Sequence, residues 1–170
     1  VGVAVVVLGC LSSGVGGRAR CIAGMGPAMP TSFPATTMTS SSPSLAILTS
    51  LISSLGGGSI RFTVPMLFAL AFLPMFGIGG LTGLPLGLTA VDIHLHDTYF
   101  VVAHFHFTMV GGMMLGWQAG LHFWWPKMTG RMYSDCWSRA AAIIIVFGVF
   151  VTVIPKFVAG CKGMPRRYAN

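Results

Sequence analysis

The sequence predicts an all-α protein, a multi-span transmembrane helix bundle with about four spanning helices. Hydrophobic residues make up 54% of the 170 and charged residues 8%, for a mean hydropathy of +0.81. The longest uncharged stretches, between Arg20 and Arg61 and between Arg61 and Asp92, exceed the ~20 residues that carry a helix across a bilayer core. The cations stand at the flanks of apolar runs: Arg18 and Arg20, Arg61, Lys127 with Arg131 and Arg139, and Lys156 through Arg167. This placement accounts for the net charge of +7 without any basic face. It excludes nucleic acid as a partner and points to a lipid bilayer and to anionic cofactor groups.

Residues 1–26 are set apart as an apolar N-terminal segment with no assigned role, and residues 27–170 as the bundle. The run Val1 to Leu11 is too short to span, and S-S-G-V-G-G-R-A-R follows it. It fits the end of a transmembrane helix or a relic of targeting, and a first residue other than Met reads as a processed or partial start. Met29 to Leu55 is long enough to span. Pro30, Pro34, Pro43 and a Ser/Thr-rich middle weaken its helix propensity and leave a polar linker as the competing reading. Inside a bundle, neighbouring helices and Ser/Thr side chains satisfy the freed backbone groups, so the helix is preferred.

Leu55 to Ser59, L-G-G-G-S, is a turn, and Arg61 anchors the next helix. Thr63 to Gly87 is the cleanest span. Gly77, Gly79, Gly80 and Gly83 near its end permit close helix packing, and their spacing excludes a nucleotide loop because no helix start with Lys follows. A central helix is predicted from Thr98 to Trp125, followed by a polar loop from Pro126 to Tyr133. Asp135 is expected to cap the last span, Cys136 to Val158, with a break near Pro155. Cys10, Cys21, Cys136 and Cys161 show no metal spacing and read as small buried residues.

The chain is organised around Asp92 to Phe107, D-I-H-L-H-D-T-Y-F-V-V-A-H-F-H-F. It holds His94, His96, His104 and His106 and two of only three acidic residues. Polar groups concentrated in an apolar chain are costly unless paired or bound to something. Two residues of helix turn through about 200°, so His104 and His106 project from opposite faces at nearly one depth, with Phe105 between them. They cannot chelate one metal, and a zinc site would want i, i+4 neighbours. A hydrogen-bonded packing role is the bland alternative. An axial imidazole for each of two cofactors, one on either side of the helix, is the sharper one.

The string H-D-T-Y-F-V-V-A-H-F-H-F resembles the signature of subunit I of the haem–copper oxidases of the mitochondrial cytochrome c oxidase type, which reads H-D-T-Y followed by V-V-A-H-F-H-Y. G-G-L-T-G at Gly79 to Gly83, W-W-P-K-M-T-G-R-M-Y ending at Tyr133 and G-M-P-R-R-Y from Gly163 to Tyr168 resemble the same subunit. The resemblance begins at Gly24 and is strongest from Arg61 to Tyr168. It implies that His104 is the proximal ligand of haem a3 and His106 a ligand of haem a. It makes Arg166 and Arg167 the pair that binds the haem propionates, as adjacent guanidiniums can; the alternative is a plain basic membrane flank. Tyr99 becomes a propionate partner and Asp92 a member of a water and proton-exit cluster. His96 and Asp97 become ligands of a Mg²⁺ ion, which usually takes few protein ligands. His94 has no counterpart.

Departures accompany the matches. Arg18-Ala19 stands where the family has paired histidines on the active-site copper. Ile47 stands where the lysine of a proton pathway is expected, with Ser44 nearby. His122 lies too far along the central helix to replace the copper ligands, and the family's last helix after the Arg pair has no counterpart. The expectation is therefore a C-terminal-half fragment of a split subunit I, inactive alone, in a multi-pass arrangement in the mitochondrial inner membrane in preference to a bacterial plasma membrane. Its partners would be other fragments of subunit I, which supply the copper ligands, oxidase subunits II and III, and, indirectly, cytochrome c. The shared reaction would be electron transfer to O₂ coupled to proton pumping. A non-catalytic haem-binding or structural membrane subunit of a respiratory complex is the alternative.

Overall fold

A computed structural model describes residues 2–15 and 29–167. The expectations that fall on Arg18-Ala19, Cys21, Gly24 and Tyr168 lie outside the described residues. Among the described residues all regular elements are helical: α1 (Gly2–Val15), α2 (Met29–Leu55), α3 (Val64–Gly87), α4 (Thr89–Leu95), α5 (Tyr99–Thr108), a π-helical segment (Met109–Met114), α6 (Leu115–Thr129) and α7 (Asp135–Cys161). They fall into two compact units, Val1–Ile60 with Leu84–Ile93, and Arg61–Gly83 with His94–Asn170.

In the first unit α1 packs on α2. The Ser/Thr/Pro-rich stretch is a helix over the predicted 27 residues, about 40 Å long, wound through Pro34 and Pro43. Its hydroxyls explain how. Thr39, Ser40, Ser41, Ser42, Ser44, Thr49 and Ser54 donate to carbonyls three or four residues back, which hides their polarity in the helix itself. Gly87 lies against the Met38 and Thr37 side chains, where a Cβ would come within 2.8 Å of Met38 Cε.

Among the described residues three helices are long and apolar enough to cross a membrane: Val64–Gly87, Tyr99–Thr129 and Asp135–Cys161. The expected fourth, Met29–Leu55, has the length, but its hydroxyl residues keep it below that apolarity. In the second unit Val64, Phe68 and Met75 of α3 meet Ala103, Phe107 and Leu115 of the central helix and Ala142 and Val153 of α7 in one buried cluster. The spacings, four and seven residues along α3, four and eight along the central helix and eleven along α7, line up a single inward stripe. Outside it, α7 exposes Trp137, Ile143, Ile144, Phe147, Val151 and Ile154, as a lipid-facing or helix-covered surface would.

Several local expectations are corrected. The central helix does not stop at Trp125. It passes Pro126 to Thr129 and closes on Gly130, whose φ of 67° brings its N–H onto the Pro126 carbonyl at 2.9 Å. Pro155 does not break α7, which continues to Cys161; a transmembrane helix tolerates the lost hydrogen bond where neighbours re-satisfy the backbone. Asp135 is not the cap. Ser134 occupies that position with no side-chain bond, and Asp135 in the first turn pairs with Arg139 at 3.5 Å. Cys10, Cys136 and Cys161 are exposed and not buried, because each sits on the outer side of its helix.

Candidate functional site

The turn before α5 is built by its own polar groups. Thr98 is the buried N-cap: its Oγ1 accepts from the Phe100 N–H at 3.3 Å and donates to the Leu95 carbonyl at 2.6 Å. Asp97 just before it has φ +58°, the left-handed region that a short polar side chain tolerates better than a branched one.

The segment after α7 returns to this turn. Tyr99 N–H donates to the Met164 carbonyl at 3.0 Å, Thr98 and Pro165 form an antiparallel bridge, and Arg166 N–H donates to the Asp97 carbonyl at 2.8 Å. The Arg166 Nη2 lies 2.6 Å from Asp97 Oδ1. The sequence expectation gave these two residues to different ligands; the fold puts them in contact. Arg167 beside it is exposed. Tyr99 opens α5 half-buried, and Asp92 lies in the first turn of α4, in the first unit.

His96 Nε2 faces Asp97 Oδ2 at 3.9 Å. Adjacent ligands of an octahedral ion at about 2.1 Å would lie ~3 Å apart, so this pair fits one edge of such a site after a small closure. Both side chains are about half exposed, and no group of three or more His, Cys, Asp or Glu able to hold a metal occurs among the described residues. They offer half a site at most.

His104 faces α3. Its Nδ1 is 2.9 Å from the Gly79 carbonyl and 3.1 Å from Thr82 Oγ1, and Thr82 itself donates to Gly79 O at 2.8 Å. A carbonyl only accepts, so Nδ1 carries the proton and Nε2 presents its lone pair. Gly83 makes room: a Cβ there would stand 2.9 Å from His104 Cε1. One turn on, Gly79 admits Thr108 in the same way, with a would-be contact of 2.8 Å. Gly79, Thr82 and Gly83 are thus part of the site, although the sequence reading used these glycines only for helix packing.

His106 ties Nδ1 to the Val102 carbonyl of its own helix at 2.7 Å, which again frees Nε2, and the Phe105 ring tilts against it at 4.4 Å between centroids. The bond to a carbonyl four residues back is not diagnostic by itself, since His122 makes the same one to Gln118 at 2.9 Å. What distinguishes the pair is that two imidazoles in one turn present Nε2 in different directions, one of them fixed by a second helix. A hydrogen bond from the ring nitrogen that does not ligate orients an imidazole ligand and raises its basicity.

His122 lies sixteen residues past His106, ~24 Å along the helix. It lines an open cavity of about 190 Å³ with Leu121, Trp125 and Tyr133, and packs between Phe68 and Tyr133 at 5.1 Å from each. Burial and, after it, the negative charge of Asp135 raise the Tyr133 pKa above its ordinary value, so the phenol stays protonated at neutral pH. This end of α6 is separate from the pair at His104 and His106.

The one buried side-chain polar atom without a partner among the described residues is Arg166 Nε. An orphaned guanidinium N–H is a donor shaped for a carboxylate. The imidazole lone pairs and this donor are of the kinds a haem would use, nitrogen for an iron and an N–H for a carboxylate.

A family model for Cytochrome C and Quinol oxidase polypeptide I matches residues 1–170. The chain is 37% identical over 164 residues to cytochrome c oxidase subunit 1 of Bacillus subtilis, covering 96% of this chain and 26% of that protein. It is 39% identical over 167 residues to the same subunit of Cereibacter sphaeroides, covering 98% and 30%. It is 45% identical over 133 residues to the heme-copper oxidase subunit I+III of Aeropyrum pernix, covering 78% and 16%. The chain spans less than a third of the length of each of these relatives.

Proposed function

The chain belongs to the Cytochrome C and Quinol oxidase polypeptide I family, and from that premise we propose that it supplies part of the catalytic subunit of a cytochrome c oxidase. In this reading His104 is the proximal ligand of haem a3 and His106 a ligand of haem a. Arg166 and Arg167 hold propionates with help from Tyr99, and Asp92 joins a proton-exit network. His96 and Asp97 give half of a Mg²⁺ site. The carrying observation is the pair of imidazoles whose Nδ1 atoms are spent on carbonyls while both Nε2 lone pairs remain on offer.

Bound haems would supply the redox chemistry, electron transfer toward O₂. The chain's own residues do the positioning. The Gly79 carbonyl and Thr82 fix the His104 ring, Gly83 gives it space, and Arg166 offers a buried N–H to an acid group. Copper ligands would come from another part of subunit I, and subunits II and III complete the assembly. The membrane proposed is the coupling membrane of respiration. The mitochondrial inner membrane is the sequence expectation, and the relatives named above come from bacteria and an archaeon.

Haem and metal analysis of the purified assembly tests the reading. One low-spin haem, one CO-reactive haem and copper are expected. A low-spin haem alone would indicate an electron carrier, and no haem a structural subunit.

Two substitutions refine it. Arg166→Leu and Arg167→Leu should each lower a haem midpoint potential by removing a positive charge beside a propionate, before haem incorporation is lost. Potentiometric titrations identical to wild type for both variants would make the arginines plain membrane flanks. Gly83→Ala should push the His104 ring off the Gly79 carbonyl at a cost of about 1 kcal/mol, the size of one net hydrogen bond. Resonance Raman should then show a shifted iron–histidine vibration for the CO-reactive haem only; an unmoved band would mean that the ring is not held from α3.

A further inference from the structure

Asp97 carries more structure than half of an exposed metal site requires. Its backbone is left-handed, its carbonyl receives the Arg166 N–H, and one carboxylate oxygen receives the Arg166 guanidinium. Residue 166 is therefore gripped twice by residue 97, once through the main chain and once through the side chain. The grip uses a single guanidinium nitrogen, Nη2, and leaves Nε–H buried and unpaired.

Stability alone does not explain this arrangement. The Asp97 side chain is 58% exposed and that of Arg166 29%. An ion pair that open to solvent adds little stability, which is small return for a non-glycine residue held at positive φ. Orientation explains it better. A guanidinium is a rigid planar fork, so fixing one nitrogen and the backbone fixes where Nε points.

We propose that Asp97 is the positioning residue for Arg166, holding the guanidinium by Nη2 so that Nε–H is presented to a haem propionate. This rests on the haem reading above and deepens it, because the aspartate then acts on the haem through the arginine. Its second oxygen, turned toward His96 at 3.9 Å, remains available to a cation.

The sign of a redox shift separates positioning from bare charge. Deleting a carboxylate near a haem, with everything else fixed, stabilises the reduced form and raises the midpoint potential. Releasing Arg166 from its clamp removes a positive donor from the propionate and lowers it. Asp97→Asn is the variant of choice, since Asn tolerates the left-handed conformation and keeps the carbonyl that receives Arg166 N–H. Asp97→Gly, equally at home there, controls for any residual bond from the amide.

Potentiometric titration of the haems in the complete complex should show Arg166→Leu lowering one haem's potential. Asp97→Asn and Asp97→Gly should lower the same one, and the double variant Asp97→Asn/Arg166→Leu should go no lower than Arg166→Leu alone. Wild type stripped of Mg²⁺ should fall short of the Asp97→Asn shift, since only the variant frees the Arg166 guanidinium. A raised or unchanged potential in Asp97→Asn, additive effects in the double variant, or a Mg²⁺-stripped wild type that reproduces the Asp97→Asn shift would each overturn the proposal while leaving the propionate reading intact. An Arg166→Leu variant that shifts neither haem would bring down both.

Discussion

Replacing His106 in the complete complex should abolish the low-spin haem signal, and replacing His104 should abolish the CO-reactive haem, each leaving the other spectrum in place. These are all-or-none losses, larger than any packing effect in the chain, because an iron without its axial imidazole changes coordination state altogether. The selectivity follows from geometry. The two rings stand about 200° apart on one helix, so neither can substitute for the other. Each Nε2 is aimed by its own Nδ1 bond, to Gly79 O at 2.9 Å for His104 and to Val102 O at 2.7 Å for His106. The structural cost is small by comparison. His104→Ala forfeits one cross-helix hydrogen bond, about 1 kcal/mol net, and His106→Ala forfeits a bond within its own helix. Loss of haem signal in a complex that still assembles would therefore report ligation. Optical spectra of the reduced and CO-bound forms decide it, and two intact spectra in both variants would sink the assignment.

What the sequence revealed, and what it hid, divides by the range of the interaction. The helical class, the span beginning near Arg61 and the two-faced histidine pair depend on composition and on the fixed turn of a helix, so they could be read locally. Met29–Leu55 was legible as a helix by length but not by propensity. Its hydroxyls satisfy themselves on carbonyls a turn back, which becomes visible only in the folded helix. Pro126 and Pro155 misled because a proline rule calibrated on water-exposed helices overstates the break inside a membrane bundle.

The site was legible in its chemistry and hidden in its contacts. His104, Arg166 and Asp97 stood out as polar residues in an apolar chain. The bond from His104 to Gly79 joins residues 25 apart, and the Asp97–Arg166 pair joins residues 69 apart in number. No periodicity carries such distances. The signal for the first was present all the same. Gly79 and Gly83 are four residues apart on α3, as are His104 and Thr108 on α5, and small residues at that spacing opposite polar ones mark a close crossing. For the second there was none, because nothing near Asp97 or Arg166 in the sequence says that the segment after α7 returns to the turn before α5.

Gly160→Ala should be the most damaging single methyl added to the second unit. Gly160 is fully buried where α7 crosses the start of α5, and a Cβ there would collide with the main chain at Phe100, both nitrogen and Cα. A flexible side chain could step aside; a helix backbone cannot. Adding a methylene to a tight core usually costs about 1–3 kcal/mol, and an obstacle made of backbone puts this case at or above the upper end. The strain has only one outlet, separation of α5 from α7. That would part Phe157 from Phe100 and Phe107, now at ring distances of 5.1 and 5.5 Å. It would also pull at the bonds just beyond the crossing, Tyr99 to Met164 and Asp97 to Arg166, so haem potential should shift together with stability. Gly148→Ala is the matched control on the same helix, since nothing lies within 4 Å of a Cβ there. Thermal inactivation of the detergent-solubilised complex should fall well below wild type for Gly160→Ala and stay level for Gly148→Ala. Equal midpoints for the two variants would show that α5 and α7 do not touch backbone to backbone, and the clamp on Arg166 would lose its foundation.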